Sequence, residues 1–409
     1  MTSTLHLQAS CSYPVVAPGR QARARSLQPA AAFVGLRQCN LVDGTQSVNG
    51  ASFACKVQRQ TSVARRSQQT HAVAVMAAAE PKKILMLGGT RFIGVYLARQ
   101  LIEAGHEVTL LTRGKKPVKF QIPDDTDESY AKYEQAVKHI AADRNGPELK
   151  EKLQGQGFQV VYDMNGREAS DAEPILDALP DIEQYIFCSS AGVYLKSDEM
   201  PHREEDAVDP KSRHKGKLDT EKLLADRGVT YTSIRPVYIY GPLNYNPVEE
   251  WFFHRIKAGR PIPVPGSGMQ VTQLGHVKDL ATAFVKCLGN PKAYNQIYNI
   301  SGERFVTFDG IAKACAIAAG APEPELVHFN AKDYDFGGKK AFPMRDQHFF
   351  ASVDKAQADL DWTPEFSLVD GLRDSYEKDF GRGTFRKAAD FSVDDMILEK
   401  VKGLATANA

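Results

Sequence analysis

The chain runs to 409 residues, with 51 Lys/Arg against 50 Asp/Glu and a formal net charge of +1. No run of eighteen apolar residues exists, which excludes a membrane-spanning helix. Its six cysteines form no C-x-x-C pair and no metal-ligand spacing, which argues against a zinc ribbon or a disulfide-stapled scaffold.

The charge is unevenly spread. Residues 1–79 carry eight basic residues (Arg20, Arg23, Arg25, Arg37, Lys56, Arg59, Arg65, Arg66) and one acid, Asp43. An acid-poor, Arg- and Ser-rich N-terminus without a long apolar run reads as a transit peptide over 1–77, with a small-residue cleavage site near Val75, Met76 and Ala77. Its length and hydroxyl content favour chloroplast over mitochondrial import. Setting those residues aside from the totals leaves 43 basic and 49 acidic residues over 80–409, net −6. A bulk field of that sign does not attract polyanions, so any nucleic-acid binding must rest on a local patch.

In chain order, residues 82–89 (KKILMLGG) are a short apolar run ending in glycines, the pattern of a buried parallel strand and its turn. Residues 92–105 have helical spacing and stop at Gly105; 106–114 form a second strand, completing the opening βαβ unit. Residues 116–135 read as a polar insertion. Strands follow at 137–146, 157–166 and 183–194, with a helix at 172–180 before the last of these. Residues 218–228 form a helix ended by Gly228, and 229–242 a sixth strand with its exit loop. Beyond Pro242 the pattern changes: 251–268 mix a short helix with a Pro/Gly-rich loop, 271–289 and 296–320 each read as strand then helix, and the tail after Gly381 is mixed and polar. The alternation predicts an α/β fold: a Rossmann-type doubly wound parallel sheet with a smaller C-terminal α+β lobe. The expected divisions are 78–242 for the dinucleotide-type domain, 243–380 for a substrate or RNA lobe interleaved with the sheet, and 381–409 for a tail.

The turn LGGTRFIG supplies Gly88, Gly89 and Gly94. In a dinucleotide turn such glycines permit the bend, the approach of backbone N–H groups to a pyrophosphate, and close helix packing. Arg91 stands where a middle glycine is expected, and its guanidinium can itself take a phosphate. The second strand ends in Thr112 and Arg113, with Lys115 and Lys116 after them, rather than in a ribose-binding carboxylate. A cation there favours NADP over NAD, or an RNA phosphate over both. The same glycines also serve a fold without any ligand.

LGGTRFIG, CSSAGVY, RPVYIYGP, GHVKDLA, YNISGERFVTFDGIA and DLDWTPEFSLVDGL together resemble the extended short-chain dehydrogenase/epimerases, over nearly all of 82–375. Adding DPKSRHKGK, YGPLNYNPVEEWFFHRIKAGRPIPVPGSG and FPMRDQHFFASVDKA, the chain resembles the b-type branch of the chloroplast stem-loop RNA-binding protein family. That resemblance implies a stromal protein binding plastid messenger stem-loops and ribosomal RNA. It also implies ribosome association, endoribonuclease activity, and homo-oligomers or hetero-oligomers with an a-type relative. The dehydrogenase pattern carries over in part. Ser190 and Lys217 match the family's serine and lysine, while Arg213 occupies the place of its tyrosine. That tyrosine passes a proton to or from the substrate oxygen, and arginine cannot lose one in the working range. A positioned proton carrier is worth roughly 10²–10⁴-fold in rate, so ordinary epimerase or dehydratase chemistry is disfavoured.

Lys211, Arg213, His214, Lys215 and Lys217 place five cationic or titratable groups within seven residues. Arg forks match phosphate bidentately; paired locally with Asp219 and Glu221, the run would instead be a solvated face. Aromatic residues that could stack unpaired bases follow the sixth strand, Tyr245 among them, with Arg255 close behind; most of these rings equally suit a core. The expected RNA contacts are Lys211, Arg213, His214, Lys215, Tyr245 and Arg255. The candidate catalytic set is Ser190, His214 and Lys217, with His276 and Asp279 as a second acid–base pair that also suits a structural role. An acidic loop of Asp124, Asp125, Asp127 and Glu128 could hold Mg²⁺ for RNA cleavage or remain solvated. Three readings stand: an RNA-binding protein with weak endonuclease activity, an NADP-dependent epimerase- or reductase-like enzyme, and a non-catalytic stromal assembly factor.

Overall fold

The computed structural model describes residues 80–407; the transit-peptide reading at 1–77 lies outside them. The first half alternates strand and helix: β1 (Lys83–Leu87), α1 (Ile93–Glu103), β2 (Glu107–Thr112), α2 (Asp127–Ala136), β3 (Lys138–Ala141), α3 (Leu149–Leu153), β4 (Val160–Asp163), α4 (Ala169–Ala178), β5 (Gln184–Cys188), α5 (Lys215–Asp226), β6 (Tyr231–Pro236). The second half contributes β7 (Tyr238–Tyr240), α6 (Val248–Lys257), β8 (Ile262–Pro265), β9 (Val271–Thr272), β10 (Leu274–His276), α7 (Val277–Cys287), β11 (Gln296–Ile300), β12 (Val306–Thr307), α8 (Phe308–Ala318), β13 (Leu326–Phe329), α9 (Asp354–Leu360), α10 (Leu368–Lys378) and α11 (Ser392–Ala407).

Seven strands form one parallel sheet in the order β11-β6-β5-β4-β1-β2-β3. This is the expected doubly wound α/β architecture. Strand alternation explains its two cores. On β1, Ile84 and Met86 pack with Leu97, Leu101 and Phe284, from α1 and α7. Leu85 and Leu87 face the other way, onto Ile175 and Leu176 of α4 and Leu224 of α5. A third core under the second half gathers Phe252, Phe253, Phe308, Ile311 and Leu372. Chain order reverses between β1 and β4, so the carboxyl ends of β1, β4 and β5 open onto a crevice of the kind that binds ligands in such sheets.

Three elements differ from expectation. The polar insertion contains α2, started by reciprocal bonds between Thr126 and Ser129 and burying only Tyr133. Within the Pro/Gly-rich segment, β8 pairs in parallel with β13. The tail forms α11, whose Val393 and Ile397 are buried beside Phe329.

Candidate functional site

At the end of β1 the chain turns through Gly88, whose φ of +91° lies in the region that only glycine enters freely. A Cβ there would press on Asn165, 3.1 Å away, and a Cβ on Gly94 would collide with the carbonyl oxygen of Gly88. Helix α1 therefore sits directly on the turn. Gly89 is buried beside Leu110, and Arg91 projects to solvent. Its guanidinium lies 5.8 Å from the ring centre of Tyr245. Thr112, at the end of β2, shares a 2.8 Å hydrogen bond with His139 and accepts the N–H of Gly114. Arg113, Lys115 and Lys116 are exposed there.

Behind this rim a buried brace joins β3 and β4. Arg144 grips both carboxylate oxygens of Asp163, at 3.0 and 3.1 Å. Tyr185 and the N–H of Gly166 donate to the same carboxylate. Burial alone would raise the Asp163 carboxyl; the charge and hydrogen bonds of Arg144 outweigh it and hold it below the usual range.

Beyond β5, the segment from Asp209 to Lys217 wraps over Gly192. Ser190 accepts the N–H of Gly192, whose carbonyl accepts the Ser212 hydroxyl at 2.8 Å. The His214 ring closes on that glycine: an added Cβ would meet its Cδ2 at 2.7 Å and its Nε2 at 2.9 Å. The same Cβ would stand 3.2 Å from Nη2 of Arg345, which arrives from the second half of the chain. Arg345 is partly buried, its backbone N–H donating to the Tyr238 hydroxyl at 3.0 Å and its guanidinium 5.2 Å over Phe349. Arg213 is exposed and donates from Nε to His214 Nε2 at 3.1 Å, so that nitrogen acts as the acceptor.

Cations thus converge without a counter-ion. Neither Arg213 nor Arg345 has a carboxylate partner among the described residues. The electrostatics register this. Burial first, then the charges of Arg213, Arg345 and Lys217, push His214 down to about 4. Burial also lowers Arg345; Tyr238 opposes it, and the charge of Arg213 adds a smaller lowering.

The other expected residues separate. Lys217 turns inward; its ammonium donates to the carbonyls of Gly166 (2.5 Å) and Cys188 (2.6 Å) and sits 4.7 Å over Phe187. Lys215 is paired with Asp219, while Lys211 is exposed. Arg255 does not share the surface. It is buried, 2.7 Å from Asp394 and stacked 3.4 Å over Trp251, so it is a core ion pair rather than an RNA contact. His276 pairs with Asp374 instead of Asp279, whose carboxylate accepts the N–H groups of Glu365 and Phe366. The acidic loop is also occupied: Asp124 holds Lys278 and Lys378, and Asp125 holds Arg99. Among the described residues no group of three or more His, Cys, Asp or Glu side chains is placed to hold a metal ion, and no helix is long and apolar enough to cross a membrane. Arg345, a loop cation, and Tyr238, an aromatic after the sixth strand, join the cluster, a meeting that their spacing in the sequence does not reveal.

The dinucleotide implied by the fold fits only in part. Gly88, Gly89 and Gly94 form a tight strand-to-helix turn that could receive a phosphate, with Arg91 and Arg113 exposed and Thr112 at the end of β2 as the residues that could hold it. The redox end does not fit, because Arg213 replaces the phenol and the ammonium of Lys217 is spent donating hydrogen bonds to the backbone carbonyls of Gly166 and Cys188.

Residues 84–301 match the family described as NAD dependent epimerase/dehydratase family. The chain is 63% identical over 361 residues, 88% of its own length and 94% of the other, to the Arabidopsis thaliana protein named chloroplast stem-loop binding protein of 41 kDa b, chloroplastic. It is 24% identical to a Corynebacterium glutamicum UDP-glucose 4-epimerase, covering 69% of this chain and 91% of that one. Among solved structures, the UDP-glucose 4-epimerase of Thermotoga maritima with UDP-glucose superposes with a TM-score of 0.58 at 20% identity, covering 74% of this chain and all of that one. An epimerase from Methanothermobacter thermautotrophicus gives 0.59 at 18% identity, covering 74% of this chain and 93% of that one. The structural likenesses speak for the fold, and the sequence matches for descent: this chain belongs to the NAD dependent epimerase/dehydratase family and, within it, to the chloroplast stem-loop binding protein family.

Proposed function

We propose that this chain binds stem-loop RNA, plastid transcripts and ribosomal RNA, in the chloroplast stroma. The name of the Arabidopsis relative, a chloroplast stem-loop binding protein, supports the ligand class and the organelle. The acid-poor leader over 1–77 supports import. One observation carries the reading: at the position of the ancestral proton carrier stands Arg213, joined by Arg345 and unanswered by any carboxylate among the described residues. A partly buried guanidinium, Arg345, close to the exposed Arg213 is costly unless an anion neutralises it, and a phosphodiester presents the planar pair of oxygens that such forks match. The exposed Arg91, Arg113, Lys115, Lys116 and Lys211 extend the same charge along the crevice rim.

The catalytic arm is narrower. His214, neutral at pH 7, can take the proton of a ribose 2′-hydroxyl only through Nε2, after Arg213 has turned from that nitrogen to the phosphate, and its lowered pKa makes it a weak base. Among the described residues no carboxyl group is hydrogen-bonded or ion-paired to His214, so water supplies the proton to the leaving oxygen and cleavage is slow. Ribosome association, and oligomers of this chain with itself or an a-type relative, belong to the same reading.

Filter binding of a plastid stem-loop RNA at several salt concentrations tests it. Arg213→Ala should weaken binding and lower the salt slope by about 0.7–0.9, one phosphate contact. Unchanged affinity and slope would remove this cluster from RNA binding.

A further inference from the structure

Tyr245 is 62% exposed, the most exposed of the large hydrophobic side chains. Such rings are usually carried on mobile loops, but this one is not. On its N-terminal side, the N–H of Leu243 donates to Asp379 at 2.7 Å, with Leu243 itself in the left-handed region at φ 66°. Asn244 is buried; its side chain donates to the carbonyl of Ile239 and accepts the N–H of Asn246, and its own carbonyl takes Arg386 at 2.7 Å. A left-handed leucine costs on the order of 1 kcal/mol, and surrounding contacts must hold it in place. The loop is thus anchored on both sides of a ring that buries little of itself.

The ring's surroundings indicate what it could receive. Phe92 meets it edge-on, with planes at 86° and centroids 6.2 Å apart. Arg91, from the middle of the glycine turn, lies 5.8 Å from its centre. The tyrosine hydroxyl has no hydrogen-bond partner among the described residues. An oriented aromatic plane beside a guanidinium suits a flat, electron-rich group attached to an anion. It suits an apolar protein surface poorly, since that requires a contiguous apolar patch.

We infer that Tyr245 is a stacking platform for an unpaired nucleobase, with Arg91 beside it to meet the phosphate of the same nucleotide. The inference rests on the RNA-binding reading above and adds the single-stranded loop as the part of the hairpin that is read. A stem alone cannot use the platform, because its bases are stacked on one another.

The test compares a hairpin RNA carrying 2-aminopurine in its loop with the same stem closed as a blunt duplex. Tyr245→Ala should weaken hairpin binding by about 5- to 150-fold, the range for one lost base stack, while leaving the duplex unchanged. It should also abolish the fluorescence quenching of the loop base, and Tyr245→Trp should restore both. Thermal melting of each variant should match the parent, since the ring is exposed. Equal hairpin affinity in the parent and Tyr245→Ala would overturn the inference while leaving the phosphate reading intact, as would an equal loss on hairpin and duplex. A parent protein that binds neither RNA would instead remove the reading beneath it, and the inference with it.

Discussion

Arg345→Ala separates the cationic cluster from a mere neighbourhood of charges. Arg345 Nη2 and His214 Nε2 lie 3.2 and 2.9 Å from the same point above Gly192. They are therefore at most about 6 Å apart, where two unit charges repel by roughly 3 kcal/mol at an effective dielectric of about 20. Removing the guanidinium should let the His214 pKa climb from about 4 towards its ordinary 6.5, leaving burial, Arg213 and Lys217 as the remaining depressing influences. It should also delete one charge-assisted bond to phosphate. Such bonds are worth about 1.5–3 kcal/mol, or roughly 10- to 150-fold in affinity. The salt slope should fall by about 0.7–0.9. Arg345→Lys, which keeps a point charge without the fork, should lie between.

Imidazole NMR titration follows His214, assigned by His214→Asn, while filter binding across salt concentrations reads the RNA. The stability sign follows from the same depression. Below pH 6.5 the unfolded chain takes up a proton that folded His214 refuses until about pH 4. Stability is therefore lost as pH falls through that window, by about 1–2 kcal/mol once partial exposure is discounted, and Arg345→Ala should flatten the loss. A risen His214 pKa with unchanged RNA affinity and slope would show that Arg345 faces the histidine but not the ligand. If neither changed, the cluster itself would be refuted.

Two further outcomes probe the scaffold. Buried Glu249 accepts the N–H of Gly241 and the hydroxyl of Ser375 on one oxygen, and its other oxygen has no partner; burial pushes its carboxyl up to about 7. A raised carboxyl costs stability as pH rises from about 4.5 to 7, so Glu249→Gln should gain about 3 kcal/mol on the parent between pH 4 and 8 in urea denaturation, and a flat difference would refute the assignment. Arg255→Ala strands the fully buried Asp394 and should cost about 3–5 kcal/mol in stability with no change in RNA salt slope, read by thermal melting and filter binding.

The sheet was legible because its strands are short apolar runs between turn residues, and the glycine turn marks the first crossover. Helix α2 escaped because only Tyr133 is buried, so no apolar face repeats along it. Helix α11 escaped for a different reason: Val393, Ile397 and Val401 recur every four residues, but the acids between them made the stretch read as tail. Arg213 could be found by spacing from Ser190 and Lys217. Arg345 could not join it on paper, because the two meet only through packing across β5 and the second half of the chain. Arg255 was misplaced for the converse reason. A cation after three aromatic residues looks like a surface feature until its partner, 139 residues away, is seen to bury it.

The fold of this chain constrains what one replacement at the old proton-transfer position could achieve. In the parallel sheet, the carboxyl ends of β1, β4 and β5 present backbone and side chains to a single crevice, whatever chemistry occurs there. Lys217 still reaches that crevice, but its ammonium now ties the carbonyl of Gly166, beyond β4, to that of Cys188 at the end of β5. Asp163 and Arg144 perform a similar task between β3 and β4. The catalytic lysine's position has become part of the frame, and the frame holds Gly192 where His214 and Arg345 close over it. A guanidinium at 213 cannot pass a proton in the working range, and on the proposed reading it offers a phosphate fork while the frame around Lys217 stays in place.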